Sequence, residues 1–125
     1  MRYFLMGVIL VLVTATPVLG ATELTDRVNA RWFPRSPSTT LHAIAVQRVL
    51  EISRCRLCMT HTLQRRNTAE VLGYNAGYTD PIRQVIRAWS QSAVHNAILS
   101  DHDLRRIGCA HRVVSGRHYF ACVLR

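Results

Sequence analysis

A chain of 125 residues, 49% hydrophobic and 18% charged, is too apolar to stay disordered and too short for two large domains. The formal net charge is +9, all sixteen basic residues are Arg, and only seven carboxylates oppose them, so the molecule attracts polyanions. The absence of Lys reads first as codon bias in a GC-rich genome, and second as an Arg surface selected for phosphate or lipid head groups.

The N-terminal residues set the expected compartment. Met1-Arg2 is a short positive start, Phe4 to Val13 is an unbroken apolar run, and Val18 and Gly20 are placed as in a cleavage site. A membrane-spanning helix needs about 20 apolar residues. The run is roughly half that, so residues 1–20 are expected to be a secretory signal peptide cleaved after Gly20. Residues 21–125 then form a single domain carrying 15 Arg against 7 acids, or +8 over 105 residues. The expected location is secreted or periplasmic.

In chain order, Asp26 to Trp32 reads as a short helix and Phe33 to Thr39 as a loop with two prolines. Ser38 or Thr39 caps the next helix. Its apolar positions Leu41, Ile44, Ala45, Val49 and Ile52 form one stripe that must face a core, and the spacing predicts an end near Cys58. Met59 to Thr79, with Gly73, Gly77 and the Tyr74/Tyr78 pair, reads as irregular and as the place for site loops. Asp80 then caps a helix with Pro81 in its first turn and Ile82, Val85, Ile86 and Trp89 on its buried face. Ile107 to Leu124 reads as two β-rich runs around a Ser115-Gly116 turn. No internal repeat, Gly-rich phosphate loop or G-x-S-x-G elbow is present, which counts against nucleotide-binding and α/β-hydrolase readings.

Export makes two disulfides the expectation for four cysteines. Counting outward from the Ser115-Gly116 turn pairs Val114 with Arg117 and sets Cys109 opposite Cys122 at a close, non-hydrogen-bonded position, within disulfide reach. Cys55 and Cys58 remain as C-x-x-C. A small-loop disulfide is the favoured reading, ahead of a redox pair, which should open a helix rather than close one, and of half a zinc site, which wants a second such pair.

Trp89, Ser92, His95, Ile98 and Leu99, followed by Ile107-Gly-Cys-Ala110 and Tyr119-Phe120, resemble the C-terminal half of bacterial CAP domains, the SCP-like superfamily of cysteine-rich secretory proteins, antigen 5 and pathogenesis-related proteins. Met59-Thr-His61-Thr resembles that superfamily's F-S-H-T, and Ala69-Glu70-Val-Leu72 stands where it has G-E-N-I. Leu41 to Ala45 is similar to its second helix, and Val28-Asn29-x-Arg31 to the start of its first. The resemblance implies an α+β fold: a CAP-type α-β-α sandwich in which a small antiparallel sheet, ending in a C-terminal hairpin, is flanked by helices. It also implies a central cleft of histidines and acids that holds a divalent metal in several members. The matching positions are His61, Glu70 and His95, with Ser92 where eukaryotic members place a second acid.

Two imidazoles and a carboxylate suit Zn²⁺ or another divalent cation with an open coordination position, or a buried hydrogen-bonded network without metal. Ser92 lies three residues from His95, but no oxyanion-hole sequence accompanies it, so no catalytic residue is assigned. Trp89 reads as core, and His102, His111 and His118, without partner spacing, as surface or strand residues. The leading expectation is a secreted, monomeric, non-catalytic binding module for a lipid, a cell-envelope component or a protein. The alternatives are a metal-dependent or Ser/His hydrolase using the same cleft, and a cationic protein acting at anionic surfaces. Nothing resembles a base-reading motif, so specific nucleic-acid binding is not expected.

Overall fold

The structure is a computed structural model that describes residues 22–55, 59 and 68–125. The first helix, α1 (Glu23–Arg31), starts earlier than its apolar pattern suggests, because the Thr22 hydroxyl accepts from the Thr25 amide and acids at Glu23 and Asp26 face the helix's positive end. The loop after it is braced by Asn29, whose side chain exchanges two hydrogen bonds with the Arg35 backbone. Arg35 is itself buried. It donates from Nε to the Leu104 carbonyl and from Nη2 to those of Leu99 and Asp101, so a cation in a proline-containing loop ties down a segment 64 to 69 residues away.

Ser36–Pro37 form a two-residue strand, β1, that the two prolines had concealed. Ser38 then caps α2 (Thr39–Arg54) by accepting from the Leu41 amide, and Leu41, Ala45, Val49 and Ile52 are buried as their spacing requires. The helix stops at Arg54, with Cys55 extended behind it, rather than running on toward Cys58.

The segment expected to be irregular contains a full strand, β2 (Ala69–Ala76). Gly73, Asn75 and Gly77 dilute its local β-propensity, and long-range pairing with the last strand overrides them. Gly73 is needed there for a close approach: a Cβ would sit 2.5 Å from Val85 Cγ2. Asp80 and Pro81 open α3 (Pro81–Gln91) as expected. The chain then turns extended at Ser92 and restarts as α4 (Ala93–Leu99), so Ser92 lies between two helices rather than within one.

The hairpin strands β3 (Arg106–Val114) and β4 (Arg117–Leu124) pair in the predicted register. Ser115 and Gly116 both have positive φ, 50° and 73°, which is the two-residue turn whose twist matches the strands. Cys109 faces Cys122 at a Cα separation of 4.1 Å and is disulfide-bonded to it. Cys55 is also disulfide-bonded, while Cys58, the partner expected for it, lies outside the described residues.

The sheet runs β1-β3-β4-β2. It is mixed rather than wholly antiparallel, because β1 joins β3 in parallel. The pleat sorts its side chains between two cores. Val71, Cys109, Phe120 and Cys122 meet Leu24, Val28, Val85 and Trp89 from α1 and α3, together with Leu99 from α4. Leu72, Ala110, Ala121 and Val123 meet α2 on the opposite side. The result is the expected α+β sandwich, helix layers on both faces of one sheet.

Candidate functional site

Glu70 is the second residue of β2, and the pleat turns it toward α2 with Leu72. Arg48 arrives there because it shares the stripe of Leu41, Ala45, Val49 and Ile52, two helical turns beyond Leu41. Its Nε donates to Glu70 Oε2 at 2.9 Å and its Nη2 to Oε1 at 3.1 Å, a two-pronged pair whose side chains are only 4% and 2% exposed. Nη1 of the same guanidinium donates to Glu51. Burial pulls the Arg48 pKa down, but the hydrogen bonds and charges of Glu70 and Glu51 outweigh it, and the pKa lies above its ordinary value. Glu70 is therefore not a solvated loop charge. Arg48 is the site residue the sequence reading omitted, although a cation on an apolar helical stripe signals a buried acid waiting opposite.

His95 is the third residue of α4, and Ser92 occupies the cap position before it. The Ser92 hydroxyl lies 2.7 Å from His95 Nδ1 and makes no capping bond to the α4 backbone, so ring and hydroxyl satisfy each other. This leaves Nε2 to whatever else approaches the ring. Of the expected cleft residues, the structure thus brings Ser92 and His95 together and sets Glu70 against Arg48. His61 lies outside the described residues.

Among the described residues, no group of three or more His, Cys, Asp or Glu side chains is gathered to hold a metal ion. The carboxylate expected to ligate such an ion already has both oxygens on a guanidinium. A divalent cation beside it would face that positive charge at close range in a site with little water, so Glu70 does not suit a metal while Arg48 stays in place.

Open surface lies at the C-terminal end of α2. A cleft of about 480 Å³ is lined by Ile52, Met59, Tyr74, Ala76, Arg117 and Tyr119, with the rings of Tyr74 and Tyr119 stacked 6.1 Å apart and Tyr74 59% exposed. Ser53, Arg54 and Cys55 form a neighbouring hollow with the hairpin turn. On the sheet's other face, His111 and His118 are partners after all. They are diagonal neighbours across β3 and β4, His111 Nε2 lies 2.8 Å from His118 Nδ1, and the His111 ring stacks on Phe120. Partial burial, followed by the nearby His118 charge, lowers the His111 pKa against an opposing pull from Glu23. His102 stacks on Phe33 with ring centroids 4.2 Å apart.

No protein-family model matches the sequence. No curated protein matches it either. Solved structures similar to the chain include an outer surface protein from Borrelia burgdorferi, which superimposes with a TM-score of 0.64 at 18% identity, over 81% of this chain and 87% of its own. They also include a cysteine-rich secretory protein from Staphylococcus aureus, which superimposes with a TM-score of 0.56 at 17% identity, over 81% of this chain and 36% of its own.

The fold is CAP-like.

At these identities the likeness carries the fold alone. Within the CAP-like frame the motif matches acquire definite places. Val28 of the first-helix match is in the core, and Asn29 braces the following loop. Trp89 is buried and donates to the Leu72 carbonyl at 3.0 Å, which ties α3 to the strand carrying Glu70. Gly108 of the Ile107-Gly-Cys-Ala110 match lies under the first turn of α2.

Proposed function

We propose that the protein is an exported, non-catalytic binding module on a CAP-like frame, taking a lipid, a cell-envelope component or another protein. The observation that carries this reading is the Glu70–Arg48 pair, in which the acid that would have to ligate a metal or act as a general base is instead neutralised inside the core. The cleft floored by Tyr74 and Tyr119 supports it as a half-apolar surface with a cation at its rim. The signal-like residues 1–20 and the Cys109–Cys122 bridge support an oxidising, exported location.

The test is co-sedimentation of the chain with vesicles of phosphatidylglycerol and phosphatidylethanolamine, run beside zinc calorimetry and p-nitrophenyl ester hydrolysis. Retention on vesicles that is weakened by Tyr74→Ala, with no ester turnover and no tight zinc binding, supports the module. Tight zinc binding lost in His61→Ala and in Glu70→Gln would replace it with a metal cleft at His61, Glu70 and His95. A second reading, a Ser/His hydrolase, is favoured by one specific contact, the 2.7 Å bond between Ser92 and His95. Ester turnover abolished alike by Ser92→Ala and His95→Ala would establish it.

A further inference from the structure

A groove of about 640 Å³ opens between the end of α1 and the outer face of α3, on the side of the sheet away from Glu70 and Arg48. Three exposed arginines line it: Arg31 from α1, and Arg83 and Arg87 from α3. Asp80 is the one acid in its lining, and that charge is already committed. Both Asp80 oxygens accept from Arg27, at 2.9 and 3.0 Å, and Oδ1 also accepts the Arg83 amide. Arg31 lies over the Trp32 ring, and among the described residues neither the Arg83 nor the Arg87 guanidinium has a hydrogen-bond or ion-pair partner.

Three guanidinium groups against one shared carboxylate leave the groove with a net positive charge. Arg83 and Arg87 are four residues apart on one helical face, where like charges repel, and the only acid beside them, the cap residue Asp80, attracts Arg83 but is shared with Arg27. An anion seated in the groove removes the repulsion. The lining also indicates what kind of anion fits. Guanidinium forks match the oxygens of a tetrahedral oxyanion, and a phosphate monoester brings about −1.5 to −2 charge and three acceptor oxygens. The amides of Gln84 and Gln91 offer donors and acceptors suited to hydroxyl groups beside the phosphate. The volume is within the range of small-molecule sites. We propose that the groove between α1 and α3 binds a soluble phosphate monoester carrying hydroxyl groups, through Arg31, Arg83 and Arg87.

The proposal does not depend on the reading of the Glu70 side. Its test is calorimetric titration of the full chain at low salt with glycerol 3-phosphate, inorganic phosphate and glycerol. The expected result is binding of glycerol 3-phosphate, weaker binding of inorganic phosphate and none of glycerol. R83Q/R87Q should weaken the ester by about tenfold or more, as loss of charge-assisted hydrogen bonds does. R105Q/R125Q, which removes the same charge elsewhere on the surface, should change it less than about twofold, within the effect of screened distant charges. Without ligand, R83Q/R87Q should melt at or above the wild-type temperature, and added ester should raise the melting temperature of the wild type alone. Equal weakening in both arginine pairs would reduce the effect to bulk charge and overturn the site. So would failure of the free ester to bind while phosphatidic acid vesicles are retained, or inorganic phosphate binding as tightly as the ester.

Discussion

The two faces of the sheet are packed by opposite means. Toward α1, α3 and α4 the sheet presents volume: Phe120, Ile107, Leu124 and the Cys109–Cys122 bridge meet Leu24, Val85 and Trp89, and the indole N–H is satisfied by a backbone carbonyl. Toward α2 it presents Leu72 and Val123 beside a strip of small residues, Gly108, Ala110 and Ala121, which lets the helix backbone come close. That proximity buries the Arg48–Glu70 pair. A face filled with bulky side chains can absorb a change by shifting rotamers, whereas a face built on backbone contact cannot.

Adding the same methyl group to each face separates the two modes of packing most strongly. At Gly108 a Cβ would lie 2.0 Å from the His42 amide nitrogen and 2.3 Å from the Leu41 carbonyl carbon, so the first turn of α2 must move. Gly108→Ala is expected to cost about 4 kcal/mol or more, among the largest single-residue effects, read as loss of the cooperative denaturant transition. At Gly73 the obstacle is the Val85 side chain, and Gly73→Ala should cost about 1–3 kcal/mol. Equal costs at the two sites would show that the faces do not differ.

The ion pair gives the second test. Arg48→Met leaves the Glu70 carboxylate buried without its cation and should cost about 3–5 kcal/mol. Glu70→Gln should cost less, because Arg48 keeps Glu51 at the solvent edge. The double variant R48M/E70M should recover most of the Arg48→Met loss, since an apolar pair of similar volume suits that core. If the double variant is as unstable as Arg48→Met, the pair itself holds the α2 face together. On the other face, C109A/C122A should cost about 3 kcal/mol by freeing a loop of sequence separation 13 in the unfolded chain, with the β3–β4 register retained.

How much of this was legible in the sequence depended on whether the deciding interaction was local. The caps at Ser38 and Asp80, the α2 stripe and the hairpin with its bridge are each set by residues close in sequence, and they were read correctly. Strand β2 was not, because its Gly and Asn residues are weak in isolation and its pairing partner lies far downstream, with Ala69 opposite Leu124. Separations of 22 and 64 residues likewise hid the Arg48–Glu70 pair and the reach of Arg35, whose loop gives no hint of the carbonyls it meets. The break at Ser92 is hidden for another reason: the spacing of the flanking residues does not reveal a kink in which the hydroxyl meets the His95 ring instead of the backbone.

Weaker contributions come from the outer surface of the α1–α3 layer, where no burial amplifies charge. Asp80 accepts from Arg27 and from the Arg83 amide, and these bonds hold its pKa at about 2, below the ordinary 3.8. With the folded value depressed, the unfolded chain binds the proton first as pH falls. The stabilisation is therefore complete above the ordinary pKa and is lost between roughly pH 4 and pH 2. Asp80→Asn keeps an oxygen for the Arg83 amide but no charge for Arg27. The melting-temperature gap between wild type and this variant should be constant near neutrality and close as acid is added through that window. His111 supplies the contrasting window. Its lowered pKa means that stability is present above the ordinary value of 6.5 and declines as pH falls below it, so His111→Gln should flatten the wild-type slope there and leave the acid window of Asp80 untouched. Parallel melting curves for Asp80→Asn and wild type down to pH 2 would mean that the Arg27 contact carries no stability, and α1 and α3 would then be joined by their buried faces alone.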